Sequence, residues 1–409
     1  MPGDTVEHLL RTEAPQVLGA LVRRFGHFDL AEDAVQEALL AASRQWPADG
    51  IPADPRGWLI RVGYRRLVDL LRSEQARRRR EHQAVLAEPE PAGPAPASDD
   101  SVTLLLLCCH PALKPTDQVA LTLRAVGGLS TSETAHAYGV SEPTMSARIT
   151  RAKRRLAESG ARFTAPTAAD RDGRVAAALQ ALYLIFNEGY IASRGDRLGR
   201  IDLAREAIRL TRMLHAAEPA DPEIAGLLAL MLLTEARRAA RTDGDGRLVP
   251  LAEQDRSRWD SGLLREGTDL VDGVWGAPDA GPYRIQAAIA AVHAAAASAE
   301  ATDWPQIAAL YLGLEHVNPT GPVRLSRVVA VAHAYGPARG LALLDDLDER
   351  HRLSGDQLTS QRERAVRAHL LEMLGDRPAA ARLYREAAAL TANVVEQRYL
   401  LGRGRRCQD

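Results

Sequence analysis

The chain has 409 residues, enough for two or three domains with cores of their own. Aromatic residues make up 4 % of it and Ala, Leu and Arg dominate, a composition that favours helices. The formal net charge of −1 hides strong local asymmetry, so it does not exclude nucleic-acid binding, whereas three cysteines do exclude a disulfide framework. Lys114 and Lys153 are the only lysines, and nearly all positive charge is arginine. The opening "MPGDTVEHLL" lacks the basic-then-apolar pattern of a signal peptide. The longest apolar run, Ile224–Leu233, is about half of the roughly 20 residues a membrane-spanning helix needs. The expectation is a soluble, cytoplasmic protein with no membrane partner.

The first part, residues 4–80, carries three helical signals. In "DLAEDAVQEALLAASRQW", Asp29 and Glu32 stand at the spacing of a capping box. Ala31, Ala34, Val35, Ala38 and Ala42 form one face, and Glu32, Asp33, Gln36 and Glu37 cluster on the other. Such acid is commonly just a solvated helix face. On a protein that touches DNA, it suits a protein partner better than phosphate. In "DPRGWLIRVGYRRLVDLLR", Asp54 is a natural N-cap and Pro55 a natural first helical residue. Leu59, Ile60, Leu67, Leu70 and Leu71 make the side to be buried, with Trp58 read as core. Arg61, Arg65 and Arg72 line the opposite side with Arg66 beside them, Tyr64 sits at its edge, and Arg77–Arg80 extends the charge beyond the helix. Arginines beside an aromatic suit single-stranded or melted DNA, where phosphate attraction combines with base stacking.

Residues 84–100, rich in Pro, Ala and acid, read as an extended linker. A compact second part follows at residues 101–160. Its "CCH" at Cys108–His110 lacks a matching downstream Cys/His pair, so a buried core role is favoured over metal and no cofactor or metal is expected. Ser130 and Glu133 have capping-box spacing and open a short helix that ends at Gly139. Ser141 caps the next helix, with Pro143 in its first turn. On that helix Met145, Ile149, Ala152 and Leu156 form an apolar stripe. The cations lie on the other side. Two helices joined by a glycine turn, the second basic, make a helix-turn-helix, with Ser141, Thr144, Arg148, Arg151, Arg154 and Arg155 as candidate DNA contacts. A solvated arginine face is the plainer alternative.

After a junction at Thr164–Asp170, residues 171–409 form a long series of Ala/Leu-rich helices. Segments 324–347 and 365–390 each read as helix, glycine turn, helix, similar to a tetratricopeptide repeat. The expectation is an α-solenoid, the alternative an irregular helical domain. "NEGY" at Asn187–Tyr190 and the scattered His215, His293, His316, His333 and His369 lack any accompanying catalytic motif, so capping and packing roles are favoured and no enzyme is expected.

Taken together, "DLAEDAVQEALLAA", "DPRGWLIRVGYRRLVDLLR" and the run from His110 to Leu156 resemble, in order and spacing, an extracytoplasmic-function sigma factor. "ALYLIFNEGYIAS", "LVPLAEQDRSRWD" and "YRIQAAIAAVHA" resemble the extension of one sigma subgroup that ends in a tetratricopeptide-like domain. The resemblance implies an all-α chain of two small sigma domains, the second with the helix-turn-helix, followed by an α-solenoid. It implies that Asp29, Glu32, Asp33, Gln36 and Glu37 bind the clamp of the large subunit of core RNA polymerase. Arg61, Tyr64, Arg65, Arg66 and Arg72 would hold the opened minus-ten strand of promoter DNA, and the helix-turn-helix would read the minus-thirty-five element. The linker would thread the polymerase cleft, and the C-terminal domain would take a protein or small-ligand regulator. A stand-alone helix-turn-helix regulator with a helical sensor is the alternative, though it leaves the arginine–tyrosine helix without a role.

Overall fold

In the computed structural model, which describes residues 2–81, 100–138, 140–161, 163, 167–356 and 358–408, the apolar periodicities become helices that bury the stripes marked out above. The chain divides into two compact units, Met1–Leu184 and Ile185–Asp409.

The first unit opens with three long helices, α1 (Pro2–Phe25), α2 (Phe28–Asp49) and α3 (Pro55–Glu81). Their contact combines small and large apolar residues. Ala31, Ala34 and Ala38 of α2 are fully buried, as are Leu59 and Leu67 of α3, and each such leucine contributes about 1.5–3 kcal/mol. Trp58 is half-buried and meets the Trp46 ring edge-on at 5.5 Å. Helix α2 departs from the expected capping box. It starts one residue before Asp29, with His27 at the N-cap and no side-chain cap bond. The "RRRR" run also differs from expectation, because α3 continues through it to Glu81.

Helices α4 (Ser101–Cys108), α5 (Pro115–Leu121), α6 (Thr131–Ala137) and α7 (Glu142–Glu158) complete the helix-turn-helix part. A π-helical turn, Thr122–Val126, follows α5 directly. Asp100 does not belong to an exposed linker. It is buried and ion-paired with Arg23 of α1, which ties the start of α4 to the three-helix part. Linker residues 84–99 lie outside the described residues. Cys108 and Cys109 are buried free thiols, and burial pushes Cys109 up to about 12, only partly opposed by the Thr122 hydroxyl. The first two sequence parts are therefore one packed unit. Helix α8 (Ala168–Tyr190) begins ahead of the expected start at Arg171, because Thr167 caps it through the Asp170 N–H at 3.3 Å.

The second unit is an array of helices: α9 (Ile201–Ala217), α10 (Pro222–Glu235), α11 (Ser261–Val274), α12 (Pro282–Ala295), α13 (Trp304–Val317), α14 (Gly321–Tyr335), α15 (Pro337–His351), α16 (Ser360–Leu374), α17 (Arg377–Leu390) and α18 (Val394–Arg406). The apolar run Ile224–Leu233 is the buried heart of α10, capped by Asp221. Among the described residues no helix is long and apolar enough to cross a membrane. The two repeats read from the sequence are the pairs α14–α15 and α16–α17. In the second, Gly375 takes φ +88° to end α16, and Asp376 caps α17. The two ends of this array are joined. Strand β1 (Arg194–Gly195) pairs in parallel with β2 (Ala392–Asn393), so the last helix returns to the first turn. Asn393, almost completely buried, makes that joint. Its Nδ2 donates to the carbonyls of Ala192 (2.8 Å) and Arg197 (3.0 Å), while its Oδ1 accepts from Val395 and Glu396 at the start of α18.

Candidate nucleic-acid interface

The helix-turn-helix is assembled by local polar bonds. Ser130 N–H donates to the Glu133 carboxylate at 2.7 Å, and Glu133 N–H donates to the Ser130 hydroxyl at 3.0 Å. The capping box is closed in both directions and starts α6. The glycine turn expected at Gly139 lies outside the described residues. Ser141 caps α7, accepting from Thr144 N–H at 3.4 Å, and Pro143 occupies the first turn. Met145, Ile149, Ala152 and Leu156 are all buried. That docking turns Ser141, Thr144, Arg151 and Arg154 outward, with Arg148 half-exposed near the Tyr138 ring. Arg151 makes no ion pair among the described residues, whereas Arg154 lies 3.6 Å from Glu158. Arg155 departs from this set. It donates to the buried Asp117 of α5 at 3.0 Å, and that bond holds α7 onto α5.

Helix α3 presents the second cationic surface. Asp54 caps it, accepting from Gly57 N–H at 2.9 Å. Arg61, Arg65, Arg66 and Arg72 are exposed, and Arg66 lies 3.2 Å from Glu37 of α2. Tyr64 is half-buried, its ring 5.5 Å from Phe25 and 5.5 Å from the Arg24 guanidinium. Tyrosine, phenylalanine and arginine together make a small platform of the kind on which bases stack.

The acidic face of α2 is where the structure corrects the reading most. Asp33 and Glu37 are exposed and Asp29 and Gln36 half-buried, but Glu32 is 2 % exposed. Its carboxylate accepts from Arg124 Nε at 2.8 Å and from Lys153 Nζ at 2.9 Å. Lys153 also donates to Asp33 at 2.7 Å and to the Asp29 carbonyl at 3.3 Å. Burial alone would raise the Glu32 carboxyl, but Lys153 and Arg124 hold it below its usual range. Burial likewise opposes the charge on Lys153, and Glu32 with Asp33 more than offsets this. Arg124 comes from the π-helical turn and Lys153 from α7, so two cations of the helix-turn-helix grip the acidic helix. Neither was a site residue in the sequence. The one signal available was that Lys153 is one of only two lysines in a chain that otherwise uses arginine.

Known proteins now bear on these surfaces. Residues 9–77 match the family model for Sigma-70 region 2, and residues 103–156 match that for Sigma-70, region 4. A probable ECF RNA polymerase sigma factor SigI of Mycobacterium tuberculosis is 31 % identical over 164 residues, covering 38 % of this chain and 56 % of SigI. The chain carries the two domains of a sigma-70-type sigma factor, followed by a C-terminal helical extension. Within this sigma factor, residues 174–274 match a family of unknown function, DUF6596. An uncharacterized protein of Rhizobium meliloti (strain 1021) is 41 % identical over 403 residues, 97 % of this chain and 94 % of its own length, so the whole arrangement recurs there. No solved structure matches the chain.

In the extension, Glu188 and Gly189 of "NEGY" make close local contacts. Glu188 accepts from the Ser193 N–H (3.0 Å) and hydroxyl (3.2 Å). A Cβ on Gly189 would stand 2.4 Å from the Ala204 backbone nitrogen, so only glycine fits there. The scattered histidines partly converge. His293 meets Trp304 edge-on at 5.3 Å, Trp304 stacks on His333 at 4.2 Å, and His333 lies 5.9 Å from His369. They sit on α12, α14 and α16, about one repeat apart, so phasing the repeats would have aligned them. Burial, then neighbouring arginines and His333, push His293 and His369 down to about 4.

Proposed function

We propose that this sigma factor binds core RNA polymerase and directs it to promoters, with each DNA-facing helix taking one element. Residues 4–80 act as the region 2 domain, 84–99 as the linker through the polymerase cleft, 101–160 as the region 4 domain and 171–409 as a partner- or ligand-binding regulator. The acidic face of α2, with Asp29, Asp33, Gln36 and Glu37, docks on the clamp of the large subunit, while the buried Glu32 braces that face from beneath. Arg61, Tyr64, Arg65, Arg66 and Arg72 hold the separated minus-ten strand, and Ser141, Thr144, Arg148, Arg151 and Arg154 face the minus-thirty-five duplex, with Arg155 bracing their helix. The observation that carries this reading is the pairing of two exposed arginine helices, α3 beside an aromatic platform and α7 in a helix-turn-helix. A duplex-only regulator has no use for the first. The chain performs no bond-making step in this scheme and works in the cytoplasm beside the polymerase.

The test is run-off transcription with purified core polymerase. New start sites are expected when the protein is added, with a melted bubble visible by permanganate footprinting. Protection of intact duplex alone, without a bubble when core is supplied, defeats the reading.

A further inference from the structure

We propose that the end of α10 and the approach to α11 form a binding site for a phosphate group, with Arg237 as its direct ligand and Arg241 and Arg256 supplying charge behind it; this rests on reading residues 171–409 as a ligand-binding regulator.

Arg237 and Arg241 lie just past α10, and Arg256 and Trp259 belong to "LVPLAEQDRSRWD" just before α11, a run for which the two sigma domains have no use. Backbone bonds draw the two stretches together. Val249 N–H donates to the Arg241 carbonyl at 2.8 Å, and Asp260 N–H to the Ala236 carbonyl at 2.9 Å. All four side chains fall within the 174–274 segment whose family has no known function.

Each arginine here lacks a carboxylate of its own. Arg256 sits 4.6 Å over the Trp259 ring and donates to the carbonyls of His293 (2.7 Å) and Ala296 (2.8 Å) at the end of α12. Arg241 is 6 % exposed, lies 3.4 Å over the Tyr190 ring and donates to the Tyr190 carbonyl at 2.6 Å. Arg237 is half-exposed and makes no hydrogen bond or ion pair among the described residues, and its Nε is shut from water without an acceptor. The Trp259 indole N–H is a second buried donor in that state. Buried donors nearly always have an acceptor, so two orphans beside unpaired cations call for one. Water satisfies a donor but carries no charge.

The charge count narrows the ligand. Glu235 is held through both oxygens by Arg238 (2.5 and 2.6 Å), and Glu300, which acts on Arg256, is exposed. Asp255 and Asp260 are helix caps. Arg237, Arg238, Arg241 and Arg256 thus stand against Glu235 and Glu300, and a surplus of two positive charges matches a phosphate dianion better than a single carboxylate. Burial first, then Arg237 and Arg238 against Tyr190, bring Arg241 down to about 10, as a cluster short of anions requires. Turning Arg237 Nε and an outer nitrogen onto two phosphate oxygens gives the planar fork geometry that guanidinium favours.

The experiment titrates the full chain with inorganic phosphate and with methyl phosphate at fixed ionic strength, chloride serving as the reference, and follows indole fluorescence and the thermal midpoint. Saturable binding and a raised midpoint are expected in the wild type. Arg237→Gln should weaken affinity about tenfold or more, the effect of losing a charged hydrogen-bonding partner. Arg237→Lys, which keeps the charge but not the fork, should lose less, and Arg258→Gln, which removes an exposed charge from the same turn, should bind as the wild type does. Far-UV circular dichroism should report unchanged helix in all three. Preference for methyl phosphate assigns the site to a phosphate ester, and preference for phosphate to the free ion. A response no greater than that to chloride, or equal affinity in wild type, Arg237→Gln and Arg237→Lys, overturns the site. If phosphate binds through Arg237 while affinity for core polymerase and promoter is the same with and without it, the site stands and the regulatory reading of residues 171–409 falls.

Discussion

At the scale of single residues, the decisive groups are buried polar side chains whose bonding capacity is filled. Asn393 uses its amide N–H groups on two carbonyls from the start of the C-terminal array and its oxygen to cap α18. Truncation to alanine removes a cap and leaves two carbonyls without these donors in a site closed to water. The expected loss for Asn393→Ala is about 2–4 kcal/mol, read as a shift of the urea midpoint. Arg154→Ala, removing an exposed pair, should move it by less than about 0.5 kcal/mol. An equal small effect from both would mean that the joint between the ends of the array contributes nothing. Glu32 belongs to the same class, and its case shows why charge on a helical wheel misleads. One residue of an acidic patch can turn into a seam that exists only after a distant segment folds onto it.

At the scale of elements, what the sequence made legible was what short-range chemistry decides. Ser130 with Glu133, Ser141 and Asp54 each act within three residues, so their caps stand where the spacing puts them. The apolar stripe from Met145 to Leu156 is buried because a 3.6-residue period leaves no other side to bury. Glu32 and Lys153, by contrast, are 121 positions apart, and Asn393 reaches back 201 to Ala192, separations that carry no local signal. The row His293, Trp304, His333 and His369 falls between these cases, hidden in a linear reading and exposed by the repeat register. Arg151 illustrates what the element view predicts. It stands outward on α7 without an ion pair among the described residues, so Arg151→Ala should leave stability nearly unchanged. It should weaken promoter binding and reduce the slope of log K against log salt by about 0.9, the share of one phosphate contact. If it instead contacts a guanine edge, discrimination at one base pair will relax by about 1–3 kcal/mol. Unaltered affinity and slope would remove α7 from the interface.

At the scale of the whole molecule, both units pair opposite charges, and the second adds a further arrangement. In the first, opposite charges are brought together across the domain seam, as in Arg23 with Asp100 and Lys153 with Glu32. In the second, histidines are held neutral among cations. Burial first, then Arg237, Arg256 and His333, lower His293, and burial, then Arg403 and His333, lower His369, with Glu372 acting weakly against that. Their folded values of about 4 lie below the ~6.5 of an unfolded histidine, so between those limits the unfolded chain binds more protons. Stability therefore rises with pH across that window, and on acidification it is lost progressively from about pH 6.5 down to about 4. The Glu32 carboxyl, held low in the folded state, adds its own loss only as pH falls below the ordinary glutamate range near 4.3, so the interval from 6.5 to 5 separates the histidines from Glu32. The urea midpoint followed by far-UV circular dichroism should fall steadily between pH 6.5 and 5 in the wild-type chain. In the double variant His293→Asn with His369→Asn that slope should be markedly flatter, whatever the absolute stability of the variant. A slope unchanged by the double substitution would show that the row of rings on α12, α14 and α16 is not where the array senses acid.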